Sequence, residues 1–455
     1  MASVVLYFHV HQPYRVKPYS VFDAGYDHDY FTSNGEVKLN NEVILKKVAK
    51  NCYLPALEVL QELVEKHPEL KVSFSLSGAI LDQFEQYLPE VLERFQKLAV
   101  AGNAKQTNAK IRSKNRNVAR QLVGQRSYGR VEFLAETYHH SLAFLYSKQE
   151  FRHQVKMHHQ KIEKLFGQSP TAFRNTELIY NNELAMVVEK LGYEAILAEG
   201  VDHILGWRSP NFVYRPIQTK NIKLLLKNYR LSDDIAFRFS DRSWNEWPLN
   251  AGRFAQWVSQ VNGNGQVVNL FMDFETLGEH QWASTGIFEF LRHLPIEILK
   301  HPDNNFMTVT EAVRAYPAMD EVDMHNLTSW ADTERDLSAW LSNPMQHSAI
   351  RTLYDMEEMV LGSEDEALIN DWRRLQTSDH FYYMCTKWWS DGDVHKYFSP
   401  YESPYDAFVN YMNVVHDLRS RVEARASAPG SLQTMVIKDK LKKVKGNSVK
   451  VKVTA

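Results

Sequence analysis

Short apolar runs of β-forming residues alternate with segments of helical periodicity through roughly the first 300 residues of the chain. Residues 4–10 and 72–77 read as strands, residues 80–98 as one long helix, and a further helix from Ile287 is expected to stop at Pro295. This alternation predicts parallel strands joined by crossover helices. Because no Pro-, Gly- or Ser-rich linker interrupts it, the sequence favours one closed or nearly closed α/β barrel over several small domains.

The same signals divide the chain into three parts. We expect residues 1–320 to form the barrel and residues 321–425, where strand signals fade, to form a helical domain that packs on the barrel and completes its cleft. The basic tail 426–455 is predicted to be disordered. Residues 103–128 carry seven lysines or arginines and no acid, and they predict a polar insertion that leaves the barrel intact.

Composition narrows the class of protein. The 53 basic and 55 acidic residues nearly cancel, which argues against a protein built around nucleic acid. With only Cys52 and Cys385, the chain has neither a disulfide scaffold nor a cysteine-based zinc site. No apolar run approaches the roughly 18 residues of a membrane span, and the N-terminal segment does not resemble a signal peptide, so we expect a cytoplasmic protein. Aromatic residues make up 12% of the chain, which fits either a large aromatic core or a carbohydrate cleft.

A dense group of charges follows the clearest predicted strand. The apolar run 267–272 leads directly into Asp273, Glu275, Glu279 and His280. A buried strand rarely ends in this way unless the charges have partners or a function. In α/β barrels the face at the carboxyl ends of the strands carries the active site, although a salt-bridged loop at the rim remains the alternative.

A second acid, Glu177, follows the short strand 171–174, where Arg174 and Glu177 read either as a surface ion pair or as part of a site. Glycoside hydrolysis requires two carboxyl groups on opposite sides of the bond, about 5–5.5 Å apart in a retaining enzyme. Carboxylates at the ends of different barrel strands can meet that distance, which makes Glu177 and Asp273 a candidate pair. The acid/base of such a pair needs a raised pKa, supplied by burial or by a neighbouring negative charge.

His9 and His11 alternate along the first strand and therefore point to the same side. They can form a hydrogen-bonding wall, or they can bind a metal together with a third ligand among Asp233, Asp234 and Glu275. The metal-binding interpretation corresponds to a metal-dependent carbohydrate deacetylase.

Taken together, these motifs resemble the α-amylase-type members of glycoside hydrolase family 57, over residues 4–102 and 129–420. The five characteristic regions of that family occur in order, as His9-Val10-His11-Gln12-Pro13, Gly129-Arg130-Val131-Glu132, Phe173-Arg174-Asn175-Thr176-Glu177-Leu178, Met272-Asp273-Phe274-Glu275-Thr276-Leu277-Gly278-Glu279-His280 and Trp330-Ala331-Asp332-Thr333-Glu334-Arg335-Asp336-Leu337-Ser338-Ala339-Trp340. The segments 375–380 and 390–395 match as well. The insertion 103–128 and Leu277, which stands where an aromatic residue is usual, depart from the pattern.

The resemblance implies an incomplete (β/α)7 barrel with a C-terminal helical domain, a retaining mechanism and no metal or other cofactor. It places the nucleophile at Glu177 and the general acid/base at Asp273. The substrate-binding residues that it implies are His9, His11, Gln12, Glu132, Glu275, His280, Trp282, Asp336 and Trp340. From the spacing we add that Glu275 helps to keep Asp273 protonated.

The expected activity is retaining hydrolysis of α-1,4-linked glucan, as in an α-amylase, with an α-glucan or maltooligosaccharide as substrate and with neither nucleic acid nor membrane as partner. Transfer to a second glucan, as in a 4-α-glucanotransferase or a branching enzyme, uses the same two carboxylates and is the main alternative. A metal-dependent deacetylase and a non-catalytic glucan-binding protein are the remote alternatives.

Overall fold

The computed structural model describes residues 2–32, 37–112, 129–387 and 398–427. Its strands are β1 (Ala2–Val10), β2 (Val72–Leu76), β3 (Val131–Phe133), β4 (Ala172–Arg174), β5 (Ala195–Glu199), β6 (Val213–Pro216), β7 (Lys223–Lys227), β8 (Val267–Asp273), β9 (Leu277–Gly278), β10 (Gln281–Trp282), β11 (Asn304–Phe306) and β12 (Glu321–Val322). Its α-helices are α1 (Asn41–Val48), α2 (Leu54–Lys66), α3 (Gly78–Tyr87), α4 (Pro89–Arg112), α5 (Ala143–Tyr146), α6 (Lys148–Phe166), α7 (Asn182–Lys190), α8 (Asp202–Leu205), α9 (Tyr229–Ala236), α10 (Ala251–Ser259), α11 (Ile287–Leu299), α12 (Val309–Ala315), α13 (Ser338–Leu341), α14 (Pro344–Tyr354), α15 (Glu357–Gly362), α16 (Glu366–Arg374), α17 (Ser378–Tyr382) and α18 (Pro404–Ser427).

Parallel pairing dominates the two main sheets. Strand β1 pairs in parallel with β2, β8 and β11, and β2 pairs in parallel with β3. In the second sheet β4, β5 and β7 are parallel, while β6 runs antiparallel to β7. A parallel bridge between Ala135 and Phe173 connects β3 to β4, and the Asn228 amide donates to the Asn269 carbonyl between β7 and β8 at 2.9 Å. The fold is therefore mixed α/β with parallel sheets that fit a barrel-like arrangement, as the strand–helix alternation predicted.

Alternate side chains of β1 pack on opposite sides of the sheet. Val4, Leu6 and Phe8 belong to a cluster with apolar residues of the surrounding helices. Val5 and Tyr7 belong to a different cluster with Leu197, Leu225 and Phe271 of the other strands. This second cluster is the interior of the strand layer, because it gathers residues from both sheets.

In several strands, the side chains that face the interior are apolar until the carboxyl end of the strand, where the last one is polar. Two positions after an interior apolar residue come His9 in β1, Arg174 in β4, Glu199 in β5, Lys227 in β7 and Asp273 in β8. The period of two along a strand keeps these side chains on the interior side. A charged layer therefore covers the apolar interior at the edge where barrel enzymes carry their sites.

Prolines account for two differences from the predicted helices. The expected helix 80–98 is two helices, α3 and α4, because Leu88 precedes Pro89 and adopts non-helical dihedral angles (φ −143°, ψ 61°). Conversely, α11 does not stop at Pro295 but continues to Leu299. Leu294, Pro295 and Ile298 are buried, so tertiary packing offsets the one helical hydrogen bond that Pro295 cannot donate.

Parts of the sequence predictions fall outside the described residues. Helix α4 extends into the basic insertion as far as Arg112, whereas residues 113–128 and the tail from residue 428 are not among those described. Apolar residues of α14–α18 share one cluster with the second sheet, for example Trp372 with Ile196 and Leu224. Within the described residues, no helix combines the length and apolar character that crossing a membrane requires.

Candidate active site

A cleft of about 260 Å³ opens over the charged layer. Eight residues predicted from the sequence line it: His9, His11, Gln12, Glu177, Asp273, Glu275, His280 and Trp340. Its wall also contains residues that the sequence did not single out as site residues: His140, Lys227, Phe237, Trp330, Asp332, Asp379, Tyr382 and Phe398. The structure thus brings both predicted catalytic carboxyl groups into one cleft.

Glu177 lies just beyond β4, in a short turn with a left-handed backbone (φ 54°, ψ 27°) that is uncommon for a residue other than glycine. The Trp330 indole Nε1 donates to Glu177 Oε2 at 2.8 Å, and His140 Nε2 lies 3.8 Å from Oε1. Burial raises the pKa of Glu177 to about 7, even though Arg174 pulls it down. A strained, desolvated carboxyl group of this kind is typical of a functional site.

Arg174 is entirely buried, so the surface ion pair with Glu177 considered in the sequence analysis is wrong. Its Nη1 lies 3.0 Å from His140 Nε2, 3.2 Å from His9 Nε2 and 3.6 Å from Glu136 Oε2. His9 Nε2 is also 3.4 Å from the same Glu136 oxygen. Although burial opposes it, the charge and hydrogen bond of His9, followed by the charge of Arg174, lower the pKa of Glu136 well below its usual range. Glu136 is therefore the anion between two buried cationic side chains.

Asp273 ends β8, and its Oδ1 lies 3.3 Å from His9 Nδ1. Burial and Arg174 lower the pKa of His9, but Glu136 and Asp273 outweigh them and raise it to about 9. For Asp273, burial favours the neutral form, yet the hydrogen bond and charge of His9 prevail and lower its pKa. Asp273 in the free protein is thus a carboxylate paired with His9.

The expectation that Glu275 keeps Asp273 protonated is therefore wrong. Burial first, and then the charge of Asp273, raise the pKa of Glu275 to about 7. The Tyr53 hydroxyl group donates a hydrogen bond to Glu275, whereas the cationic His9 side chain contacts Asp273. Burial and repulsion by Asp273 together favour the protonated form of Glu275, which forms no ion pair with a basic side chain among the described residues.

His11 and His140 stack at 4.0 Å between ring centroids. His11 bonds through Nδ1 to Ser77 Oγ at 2.7 Å and through Nε2 to Asp379 Oδ2 at 3.1 Å. His140 Nδ1 is 3.0 Å from Ser378 Oγ, and burial lowers its pKa well below the usual range, so His140 is neutral. These contacts form a rigid polar wall on one side of Glu177.

Two groups in the described residues have the spacing of metal ligands: His9, Glu136 and His140, and His11, His140 and Asp379. In the first group the Arg174 guanidinium already lies among the three ligand atoms. The acids expected to complete a site with His9 and His11 are engaged elsewhere, since Asp233 contacts Lys227, Asp234 contacts Arg238 and Glu275 contacts Tyr53. The arrangement that motivated the deacetylase alternative is thus not the one formed.

Three predicted substrate-binding residues do not reach the cleft. Glu132 lies four residues before Glu136 in the chain, and its buried carboxyl group bonds to Ser73 and Thr310. Asp336 accepts hydrogen bonds from the backbone and side chain of Ser338. Trp282 is 66% exposed and does not belong to the cleft lining. The family resemblance implied that these residues bind substrate, but they are not among the residues that line this cleft.

Residues 5–325 match the model of glycosyl hydrolase family 57, which covers most of the chain. The chain belongs to this family. The expectation drawn from the five motifs is thereby confirmed, although the segment 390–395 lies outside the described residues.

The chain is also similar to a curated protein in sequence and to solved structures in fold. A Methanocaldococcus jannaschii protein named "Putative alpha-amylase" is 40% identical over 422 residues, 90% of this chain and 82% of its own length. A branching enzyme of this family from Thermococcus kodakaraensis has the same fold, with a TM-score of 0.61, 14% identity and 94% coverage of each chain. A 4-alpha-glucanotransferase from Thermococcus litoralis matches with a TM-score of 0.56 and 15% identity, over 84% of this chain and 56% of its own.

Proposed function

We propose that this family 57 protein is a retaining glycoside hydrolase acting on α-1,4-linked glucan, with Glu177 as nucleophile and Asp273 as general acid/base. The observation that carries the proposal is the cleft shared by these two carboxyl groups, which come from the carboxyl ends of β4 and β8. Each is held by a different partner, Glu177 by Trp330 and Asp273 by His9. Two carboxyl groups with distinct environments are what acid/base and nucleophilic roles require.

In the first step an oxygen of Glu177 bonds to the anomeric carbon while the glycosidic bond breaks. The leaving oxygen takes a proton from Asp273, which must therefore receive one before the step. His9, whose Nδ1 is 3.3 Å from Asp273 Oδ1, is the proton source that we infer. Trp330 and the nearby Arg174 charge stabilise the ionised form of Glu177 that attacks.

In the second step the Asp273 carboxylate takes a proton from water, the water oxygen bonds to the anomeric carbon, and the bond to Glu177 breaks. If a glucan hydroxyl takes the place of water, the same two residues carry out transfer. The names of the similar proteins, an amylase on one side and a branching enzyme and a glucanotransferase on the other, support α-glucan as substrate and keep transfer as the second candidate.

We also propose that β1, β2, β3, β4, β5, β7 and β8 form one incomplete (β/α)7 barrel. The bridge between β3 and β4 and the hydrogen bond between β7 and β8 support this arrangement. Residues 321–425 would be the helical domain that completes the cleft, which agrees with Trp330, Trp340 and Asp379 in its wall. A reducing, cytoplasmic location agrees with the scarcity of cysteine, since Cys52 and Cys385 are the two cysteines of the sequence and both are buried.

The test is incubation of the wild-type protein and the Glu177→Gln variant with maltoheptaose, with all products resolved by chain length. Glu183→Gln is the matched control, because Glu183 is an exposed glutamate a short distance along the chain that pairs with Lys148 at 3.0 Å. Shorter products from the wild type and the control, but not from Glu177→Gln, would support hydrolysis. Products both shorter and longer than heptaose would identify transfer, and an active Glu177→Gln variant would refute the assignment.

A further inference from the structure

Four charged side chains form a closed cluster beside the cleft: Glu199, Lys227, Asp233 and Arg335. Lys227 Nζ lies 2.9 Å from Asp233 Oδ1 and 3.4 Å from Glu199 Oε2. Arg335 Nη1 lies 3.1 Å from the same Glu199 oxygen, and its Nη2 lies 3.3 Å from Asp233 Oδ2. Each carboxylate thus contacts both cations, and the cluster is neutral as a whole.

Burial makes this cluster sensitive to the loss of any member. The exposed fractions of the side chains are 0% for Glu199, 5% for Lys227 and 11% for Asp233. Arg335, at 20%, is the most exposed and the only member that comes from the segment 329–337 rather than from β5, β7 or α9. Arg335 therefore connects that segment to the strand layer, because the buried carboxylates of Glu199 and Asp233 require its positive charge to balance theirs.

The same guanidinium fixes the backbone of the segment. Arg335 Nη1 donates to the Trp330 carbonyl at 2.6 Å, and the Arg335 carbonyl accepts from the Ser329 amide at 3.0 Å. Asp332 and Arg335 have positive φ angles of 53° and 56°. Non-glycine residues hold such angles only when their surroundings impose them, so the conformation of the segment depends on these contacts.

Trp330, near the start of the segment, contacts the proposed nucleophile. The Trp330 indole donates to Glu177 Oε2 at 2.8 Å, and the Trp330 amide donates to the Glu177 carbonyl at 3.3 Å. The indole lies over two cations, with Arg174 at 5.1 Å and Lys227 at 5.6 Å from its ring. A continuous set of contacts therefore leads from the cluster through Trp330 to Glu177.

We infer that Arg335 is a positioning residue that sets the orientation of Glu177 through Trp330. The inference rests on the proposed function, since it takes Glu177 as the nucleophile. Arg335 has no hydrogen bond or ion pair with Glu177, and it is not itself one of the residues that line the cleft; it reaches the lining through the Trp330 carbonyl. Its effect should therefore appear in the rate of the step that Glu177 performs and only weakly in substrate binding.

The test compares Arg335→Met and Arg335→Lys with the control Arg421→Met. Arg421 is a matched control because its side chain is 21% exposed and pairs with Asp371 at 3.1 Å, far along the chain in α18. On maltoheptaose we expect Arg335→Met to lower kcat by about ten- to a hundredfold with a small change in KM, as expected for a misplaced reacting group. Arg335→Lys should recover part of the rate, and Arg421→Met should retain it.

A second substrate distinguishes an effect on the nucleophile Glu177 from an effect on the acid Asp273. The fluoride leaving group of α-maltosyl fluoride departs without a proton from Asp273, so its first step reports on Glu177 alone. Arg335→Met should slow this substrate as strongly as maltoheptaose. A defect confined to maltoheptaose, or a change in KM alone, would overturn the inference.

The route through Trp330 is tested by a double-mutant cycle. If Arg335 acts through Trp330, Arg335→Met should slow the Trp330→Phe protein much less than it slows the wild type. Equal fold-losses in both backgrounds would overturn the route. An inactive wild type or a fully active Glu177→Gln protein would refute the proposed function itself, whereas an active wild type and an unaffected Arg335→Met protein would refute only the positioning role.

Discussion

Arg174→Met removes a permanent charge from the interior while keeping a side chain of comparable length. In the native protein that charge faces Glu136 at 3.6 Å, and both side chains are fully buried. Removing one partner of a buried ion pair typically costs about 3–5 kcal/mol in the free energy of unfolding. Because His9 still contacts Glu136 at 3.4 Å, we expect a loss near the lower limit, about 3 kcal/mol.

The assay is equilibrium unfolding in urea at neutral pH, with Arg253→Met as the control. The Arg253 side chain is 41% exposed and pairs with Glu246 at the surface, so its loss should cost at most about 1 kcal/mol. Glu136→Gln alone should also destabilise, because it leaves His9 and Arg174 without their common anion. The double variant Arg174→Met/Glu136→Gln should lose at least about 2 kcal/mol less than the sum of the single losses, since it removes both members of the pair.

The kinetic consequence provides a second readout. Arg174 lowers the pKa of Glu177 against the effect of burial, so Arg174→Met should move the acidic limb of kcat/KM to higher pH. Unfolding free energies within about 1 kcal/mol of the wild type, or strictly additive single losses, would refute the buried-pair argument. An unmoved acidic limb would refute the electrostatic influence on Glu177.

Four further predictions concern single residues. The pH profile of wild-type kcat/KM should have an acidic limb near pH 7, because Glu177 must lose the proton that its raised pKa retains. A raised folded-state pKa means that the contribution of Glu177 to stability falls as pH rises toward 7, so Glu177→Gln should melt at a higher temperature than the wild type at pH 8, and by a smaller margin at pH 5. His9→Gln should slow hydrolysis of maltoheptaose more than that of α-maltosyl fluoride in steady-state assays. The reason is that His9 supplies the proton that Asp273 passes to the leaving oxygen, and fluoride leaves without that proton. Glu132→Gln should leave kcat and KM for maltoheptaose near their wild-type values, since its carboxyl group bonds to Ser73 and Thr310 outside the cleft.

The strand–helix alternation could be predicted because β1, β5 and β8 each carry several apolar residues in a row. Strand β7 was missed, since Lys223 and Lys227 at its ends make the segment look amphipathic rather than buried. Lys227 is nevertheless buried, because Glu199 and Asp233 pair with it. A sequence pattern reports the hydrophobicity of each residue, whereas burial of a lysine depends on partners that are distant in the chain.

The two catalytic candidates were identified from motifs, and both lie in the cleft. Their protonation was not predictable in the same way. The spacing of Asp273 and Glu275 suggested that Asp273 would hold the proton, but His9, 264 residues away in sequence, decides the outcome. His140 and Asp379 reach the cleft from separate parts of the chain, and only the fold shows that they contact His11 and Glu177.

The difference between Glu132 and Glu136 shows what a motif resemblance does not report about two neighbouring acids. Both are buried acids on the segment that begins with β3, four residues apart, and both face polar partners. Hydroxyl and amide donors of Ser73 and Thr310 contact Glu132, and burial raises its pKa although these hydrogen bonds lower it. Glu136 lies between His9 and Arg174, where an anion is required. Within four residues the chain therefore passes from a carboxyl group that uncharged donors contact to one that lies between two cations, of which His9 lines the cleft.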